Sequence, residues 1–263
     1  MSSVKDRFWI WGHEAGSHNN QYGLKGLSRM TPAEGAFYLG VPNIIMVRYE
    51  GKPAPPFDQN ALALTPLKQV VWSIVGAGGQ TTADEVDMVQ NLAKRFTNIS
   101  GVIMDDFFRK PDKEGRIAVH TPEELKAIKK RLIVEERRLD LWVTLYTHNL
   151  DLPNLEEHLK QCDVITYWTW HAETLKKLEH NFTRLEALTP SSRKVLGCYM
   201  WDYGDHRPMP LTLMRHQCQL GLKWLREECI EGMIFLASCI CDLGLEAVEW
   251  TRKWIREVGE ESL

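Results

Sequence analysis

Two adjacent aspartates, Asp105 and Asp106, end an apolar run that begins Gly101-Val102-Ile103-Met104. A third acid, Asp202, closes another such run in Tyr199-Met200-Trp201-Asp202-Tyr203. Carboxyl groups on two sides of a pocket can divide the work of breaking an acetal. One protonates the leaving oxygen, and the other acts as nucleophile or activates water. Asp105 or Asp106, together with Asp202, are therefore the candidate catalytic groups. Asp202 is expected to be the acid, because Trp201 and Tyr203 would bury it and burial raises a carboxyl pKa. The acid at 105 or 106 would stay ionised beside His148; the opposite assignment is open. Consecutive side chains of an extended strand point to opposite faces. Only one of the doublet is thus expected to face a pocket: Asp106 if Val102 and Met104 fill the interior, Asp105 if Ile103 does.

These acids need a frame that brings them together. Apolar runs at 8–13, 43–50, 69–75, 101–107, 141–148, 164–170, 195–202 and 233–238 read as strands, and helical patterns separate them. Thr31-Pro32-Ala33-Glu34 and Thr121-Pro122-Glu123-Glu124 each combine an N-cap Thr, an N1 Pro and a capping-box Glu. Thr82-Ala83-Asp84-Glu85 reads as a third box. Strict alternation of strand and helix implies a parallel sheet. Eight such units in 263 residues, without a linker or a change of composition, predict one α/β domain over residues 1–263, a single (β/α)8 TIM barrel. That fold takes about 250 residues. An open doubly wound sheet is the alternative.

In such a barrel every strand's carboxyl end lies on one rim. Collecting those ends gives Trp11 and His13, Arg48 and Glu50, Tyr146 and His148, Trp168 and Trp170, Trp201 and Tyr203 as candidate substrate-binding residues. Seven of the ten tryptophans fall on the strand runs, where aliphatic residues are the rule. Flat indole faces beside carboxylates, Arg and His suit a ligand with apolar CH faces and many hydroxyls, which describes a saccharide.

The pattern resembles the large clan of retaining (β/α)8 glycosidases, whose acid/base and nucleophile sit at the ends of strands 4 and 7. The resemblance covers the alternating architecture and those two positions. The clan places Glu at both, with Asn before the first, where this chain has Met104 before Asp105 and Asp106. What the resemblance implies is a glycosidase-like barrel of no particular family, acting on a small saccharide without a cofactor.

Two rivals remain. His13, His148 and His171 with the acids could form a metal site, as in metal-dependent sugar isomerases or amidohydrolases, but no histidine pair has ligand spacing, so no metal is expected. A sugar-binding barrel without catalysis would keep the aromatic rim. Gly76-Ala77-Gly78-Gly79 lacks the rest of a dinucleotide fingerprint and the Lys of a P-loop, and reads as a tight turn. The net charge of -3 gives no basic footprint for nucleic acid. No apolar run approaches the roughly 18 residues of a membrane span. The six scattered cysteines form no C-x-x-C pair and read as buried thiols. Lacking an apolar leader at Met1, the chain is expected to be cytoplasmic if it is full length.

Overall fold

The computed structural model describes residues 3–263. Eight parallel strands close into a barrel: β1 (Phe8–Gly12), β2 (Asn43–Met46), β3 (Gln69–Val75), β4 (Ile99–Met104), β5 (Asp140–Tyr146), β6 (Val164–Trp168), β7 (Arg193–Tyr199) and β8 (Gly232–Leu236). Each strand pairs with its neighbours in sequence, and β8 pairs with β1, Phe8 opposite Met233, to complete the ring. Eight helices surround it: α1 (Pro32–Leu39), α2 (Asp58–Ala63), α3 (Glu85–Arg95), α4 (Pro122–Arg131), α5 (Leu155–Leu159), α6 (Leu178–Leu188), α7 (Leu211–Arg226) and α8 (Glu246–Val258). The architecture is the (β/α)8 barrel that the alternating pattern predicts.

Local chemistry explains where the helices begin. Thr31 and Thr121 each accept the N–H of the Glu three residues on, and each Glu accepts the threonine's own N–H at 2.8 Å. The third box forms only in part. Thr82 N–H reaches Glu85 at 3.1 Å, but α3 starts at Glu85 with Asp84 in the cap position. Glu85 is fully buried instead of lying on the surface, for a reason that bears on the site.

The barrel interior is filled by indole rings resting on glycines of the adjoining strand. A Cβ on Gly197 would lie 2.0 Å from the ring of Trp168, and one on Gly101 would lie 2.9 Å from Trp142 Nε1. Gly232 makes room for Trp9 in the same way. Trp9 and Trp142 meet from opposite sides of the barrel, ring centroids 5.2 Å apart. Trp11 and Trp168 meet nearer the carboxyl-end rim at 5.1 Å. Tilted or edge-on aromatic pairs add about 0.5–1.5 kcal/mol each beyond the area they bury. Trp72 points the other way, against Phe57 ahead of α2.

Several strands end earlier than their apolar runs suggest. β2 stops at Met46, β4 at Met104 and β7 at Tyr199. One more backbone bond follows each end, from Val47, Asp105 and Met200 N–H to the Gly12, Val75 and Leu236 carbonyls, and the chain then turns away into loops. The site joins residues of these loops to side chains still on the strands.

Candidate active site

A cavity opens at the carboxyl ends of the strands. Its floor and walls come from Trp11 and His13 of the β1 end, Asp105 and Asp106 after β4, Thr144 and Tyr146 of β5, Trp168 and Trp170 at β6, Tyr199 and Tyr203 at β7, and Leu236 of β8. His18 and Tyr22 from the loop after β1, Tyr49 after β2 and Ala77 after β3 complete it. About 440 Å³ of space lies among these residues, counting what is open to solvent.

The expectation that only one acid of the doublet can face inward is overturned. β4 ends at Met104, and Asp106 adopts φ 43°, in the left-handed region. That turn brings both carboxyls to the cavity. A non-glycine residue in this conformation costs on the order of 1–3 kcal/mol and persists where its surroundings hold it. The holding contacts are visible. Asp106 Oδ1 accepts the Tyr146 hydroxyl at 2.7 Å, and Oδ2 accepts the Gly78 N–H at 2.7 Å. The Gly76–Gly79 turn thus carries a hydrogen-bond donor to an acid, with Gly78 and Gly79 in the left-handed region that the turn requires.

Asp105 is buried, and its Oδ1 accepts the Asp106 N–H at 2.9 Å. Loss of water, reinforced by the negative charge of Asp106, pushes the Asp105 carboxyl well above the usual carboxylate range. Burial also raises the phenols of Tyr146, Tyr199 and Tyr203, so these hydroxyls remain protonated.

Across from the acids lies a wall of neutral rings. His13 and His18 sit 4.8 Å apart between ring centroids. His18 Nδ1 meets the Tyr203 hydroxyl at 3.0 Å, and His13 Nδ1 is buried with no protein partner. Burial lowers both histidines, His18 to about 4 and His13 well below its ordinary value with help from His18. No Lys, Arg or further carboxylate lines the cavity among the described residues.

Five residues expected at the site do not line it. Asp202 is fully buried below the rim. One of its oxygens accepts Arg207 Nε at 3.0 Å, and the other accepts the N–H groups of Ala172 and Asp205 at 3.2 and 3.3 Å. It ties the short hairpin Trp201–Asp202/Arg207–Pro208 to the loop after β6. Arg48 turns outward to an ion pair with Glu85 and lies 5.8 Å from the Phe57 ring. Glu50 is held by Gln21 at 3.2 Å. His148 stacks on Tyr146 behind the wall, ring centroids 5.2 Å apart and 6° from parallel. Trp201 is buried and donates from Nε1 to the Tyr22 carbonyl at 2.9 Å.

Trp11, His13, Asp105, Asp106, Tyr146, Trp168, Trp170 and Tyr203 are brought together as one lining. His18, Tyr22, Tyr49, Thr144 and Tyr199 were missed. Tyr49 and Tyr199 stood at strand ends in the sequence, and a sharper reading of those ends would have included them. His18 and Tyr22 sit in a loop of Gly and Asn with no periodicity to place them. Among the described residues no group of three or more His, Cys, Asp or Glu side chains converges as metal ligands would. Among the described residues no helix is long and apolar enough to cross a membrane.

No protein-family model matches the chain, and no curated protein sequence matches it significantly. Solved structures do match in fold. Active domain 2 of a chitinase from Pyrococcus furiosus aligns with a TM-score of 0.64 at 14% identity, over 100% of this chain and 99% of that one. A GH113 β-1,4-mannanase aligns at 0.53 and 11%, over 97% and 99%. A xylanase–α-amylase inhibitor protein solved with trehalose aligns at 0.56 and 11%, over 96% and 98%. Structural neighbours of this closed barrel thus include glycoside hydrolases, and the likeness is one of fold.

Proposed function

We propose that this chain is a glycosidase whose Asp105–Asp106 pair cleaves a glycosidic bond bound in the cavity at the barrel mouth. The observation that carries the reading is the turn at Asp106, which brings two consecutive carboxyls to one aromatic cavity. Burial and the neighbouring charge keep the proton on Asp105, while both oxygens of Asp106 act as acceptors. Paired acids whose surroundings separate their protonation states suit a proton donor beside a base. Trp170, half-buried at the cavity, supplies the apolar face that sugar rings use, with Trp11 and Trp168 packed beneath.

The facing wall carries His13, His18 and Tyr203 and no carboxylate. A protein acid on the far face of the sugar, as the two-acid arrangement needs, is therefore missing from the lining. Some glycosidases let the substrate fill that role. A sugar with an acylamino group beside the anomeric carbon does so here. Asp105 gives its proton to the glycosidic oxygen as the C–O bond breaks. The acyl oxygen bonds to the anomeric carbon, and the N–H proton passes to Asp106. Water then attacks the anomeric carbon as its bond to the acyl oxygen breaks, and gives a proton to Asp105, while Asp106 returns its own to the nitrogen. A chitinase domain of the same fold makes amino-sugar glycosides a natural first panel.

The test is turnover of matched aryl glycosides with and without the 2-acetamido group. Hydrolysis confined to the acetamido members is expected. Hydrolysis of the plain glycosides alone would remove the substrate-assisted step and leave the glycosidase. Sugar binding with no turnover on any member would favour a second reading, a non-catalytic saccharide binder. The absence of an opposing carboxylate is the observation on its side, and the inhibitor protein solved with trehalose has the same fold.

A further inference from the structure

The cavity draws its lining from all eight strands or the loops that follow them. An open groove, which lets a polymer lie across the mouth, would leave two sides of the rim low. Here the loops are linked to one another nearly all the way round. The loop after β1 meets the β2 end through the Tyr22 and Tyr49 hydroxyls at 2.8 Å. The β2 end meets the β3 turn where Ala77 N–H donates to the Arg48 carbonyl at 2.9 Å. The β3 turn and β5 both hold Asp106, through Gly78 and Tyr146. Thr147 after β5 donates to the Trp168 carbonyl at the β6 end at 3.2 Å. Gly204 N–H after β7 donates to the Trp170 carbonyl after β6, also at 3.2 Å.

The last link is the longest reach. The loops after β7 and β1 join directly over β8: Tyr203 meets His18, and Trp201 donates to the Tyr22 carbonyl. Packing there is close, since a Cβ on Gly23 would stand 2.5 Å from the His206 carbonyl oxygen. The segment after β8 stays beneath, with Ser238, Cys239 and Ile240 fully buried.

We infer that the cavity admits one terminal sugar of a chain and that cleavage proceeds from that end. The inference rests on the saccharide reading above and deepens it. The loops linked in this ring surround the cavity's mouth, whose space of about 440 Å³ includes what is open to solvent. The sugar enters by its non-reducing end, and its anomeric carbon, which carries the rest of the chain, faces the mouth beside Asp105 and Asp106, so the rest of the chain stays outside the ring of loops. An internal residue would have to carry chain in two directions through that ring.

Two measurements test this on the intact protein. The first uses Asp105→Asn to prevent turnover and calorimetry with the methyl glycoside and the tetrasaccharide of N-acetylglucosamine, alongside the matching mannose pair. The methyl glycoside of one series should bind within about threefold of its tetrasaccharide. A tenfold or greater gain from the added rings, or no binding by either methyl glycoside, overturns the inference. The second follows the wild-type protein acting on a tetrasaccharide labelled at its reducing end. Monosaccharide and labelled trisaccharide should be the first products; labelled disaccharide at the first time point overturns the inference. If no tetrasaccharide is cleaved but the methyl glycoside binds as well as the longer chain, the glycosidase reading fails while the one-ring cavity stands.

Discussion

The Tyr146 hydroxyl donates a 2.7 Å hydrogen bond to Asp106, across from β5 to the residue that turns the chain beyond β4. With Gly78 on the other oxygen, this contact fixes an aspartate in a backbone conformation that side chains rarely adopt. A hydrogen bond to a charged group contributes about 1.5–3 kcal/mol. Tyr146→Phe should therefore lower kcat/KM by roughly tenfold or more, with the loss in kcat and KM near its wild-type value. An unchanged kcat with a lowered thermal midpoint would assign Tyr146 to packing alone.

The pH dependence of stability has two sides. Asp105 has a raised pKa in the fold, so its stabilisation is full below the ordinary Asp range and is lost as pH rises through the folded value. His13 and His18 are depressed. Their contribution is present above 6.5, and that of His18 is lost as pH falls toward about 4. Thermal melts across pH should show Asp105→Asn flattening the limb above the ordinary Asp range and His18→Phe flattening the limb between 6.5 and about 4. Parallel curves for wild type and both variants would contradict the assignment.

Arg48 serves the site from outside. Its side chain pairs with the buried Glu85, and its carbonyl accepts Ala77 in the turn that presents Gly78 to Asp106. Removing one partner of a buried ion pair costs about 3–5 kcal/mol. Glu85→Gln and Arg48→Met should each lower the denaturation midpoint markedly while leaving KM near its wild-type value. A large rise in KM with stability intact would put Arg48 back in contact with substrate.

The Asp202 carboxylate holds a hairpin to the loop after β6 and leaves no face to the cavity. Asp202→Asn should lower the thermal midpoint and keep kcat/KM of the folded protein within about tenfold, because no proton donor or nucleophile is removed. A loss of several orders of magnitude without loss of stability would restore Asp202 to the chemistry.

The barrel was legible because eight apolar runs alternate with helical periodicity, and period is a local property. The site was legible where it sits on strands, as with Trp11, Tyr146 and Trp168. It was not legible where a turn sets the direction of a side chain. Strand alternation gave Asp105 and Asp106 opposite faces, but Asp106 lies past the last ladder bond and its φ of 43° depends on partners from β3 and β5. Arg48 and Asp202 looked available because charged residues at a rim usually are. Their partners, Glu85 and Arg207, lie beyond a loop, and only folding brings them within reach.

The most direct test of the account is kcat/KM for wild type, Asp105→Asn and Asp106→Asn on the best aryl glycoside of the panel. Each protein should first be checked for a native thermal transition. The account predicts that both variants fold and that each loses at least about 100-fold, since one removes the proton donor and the other the base. Two folded variants within about tenfold of wild type would show that the acids at the end of β4 do not carry the chemistry.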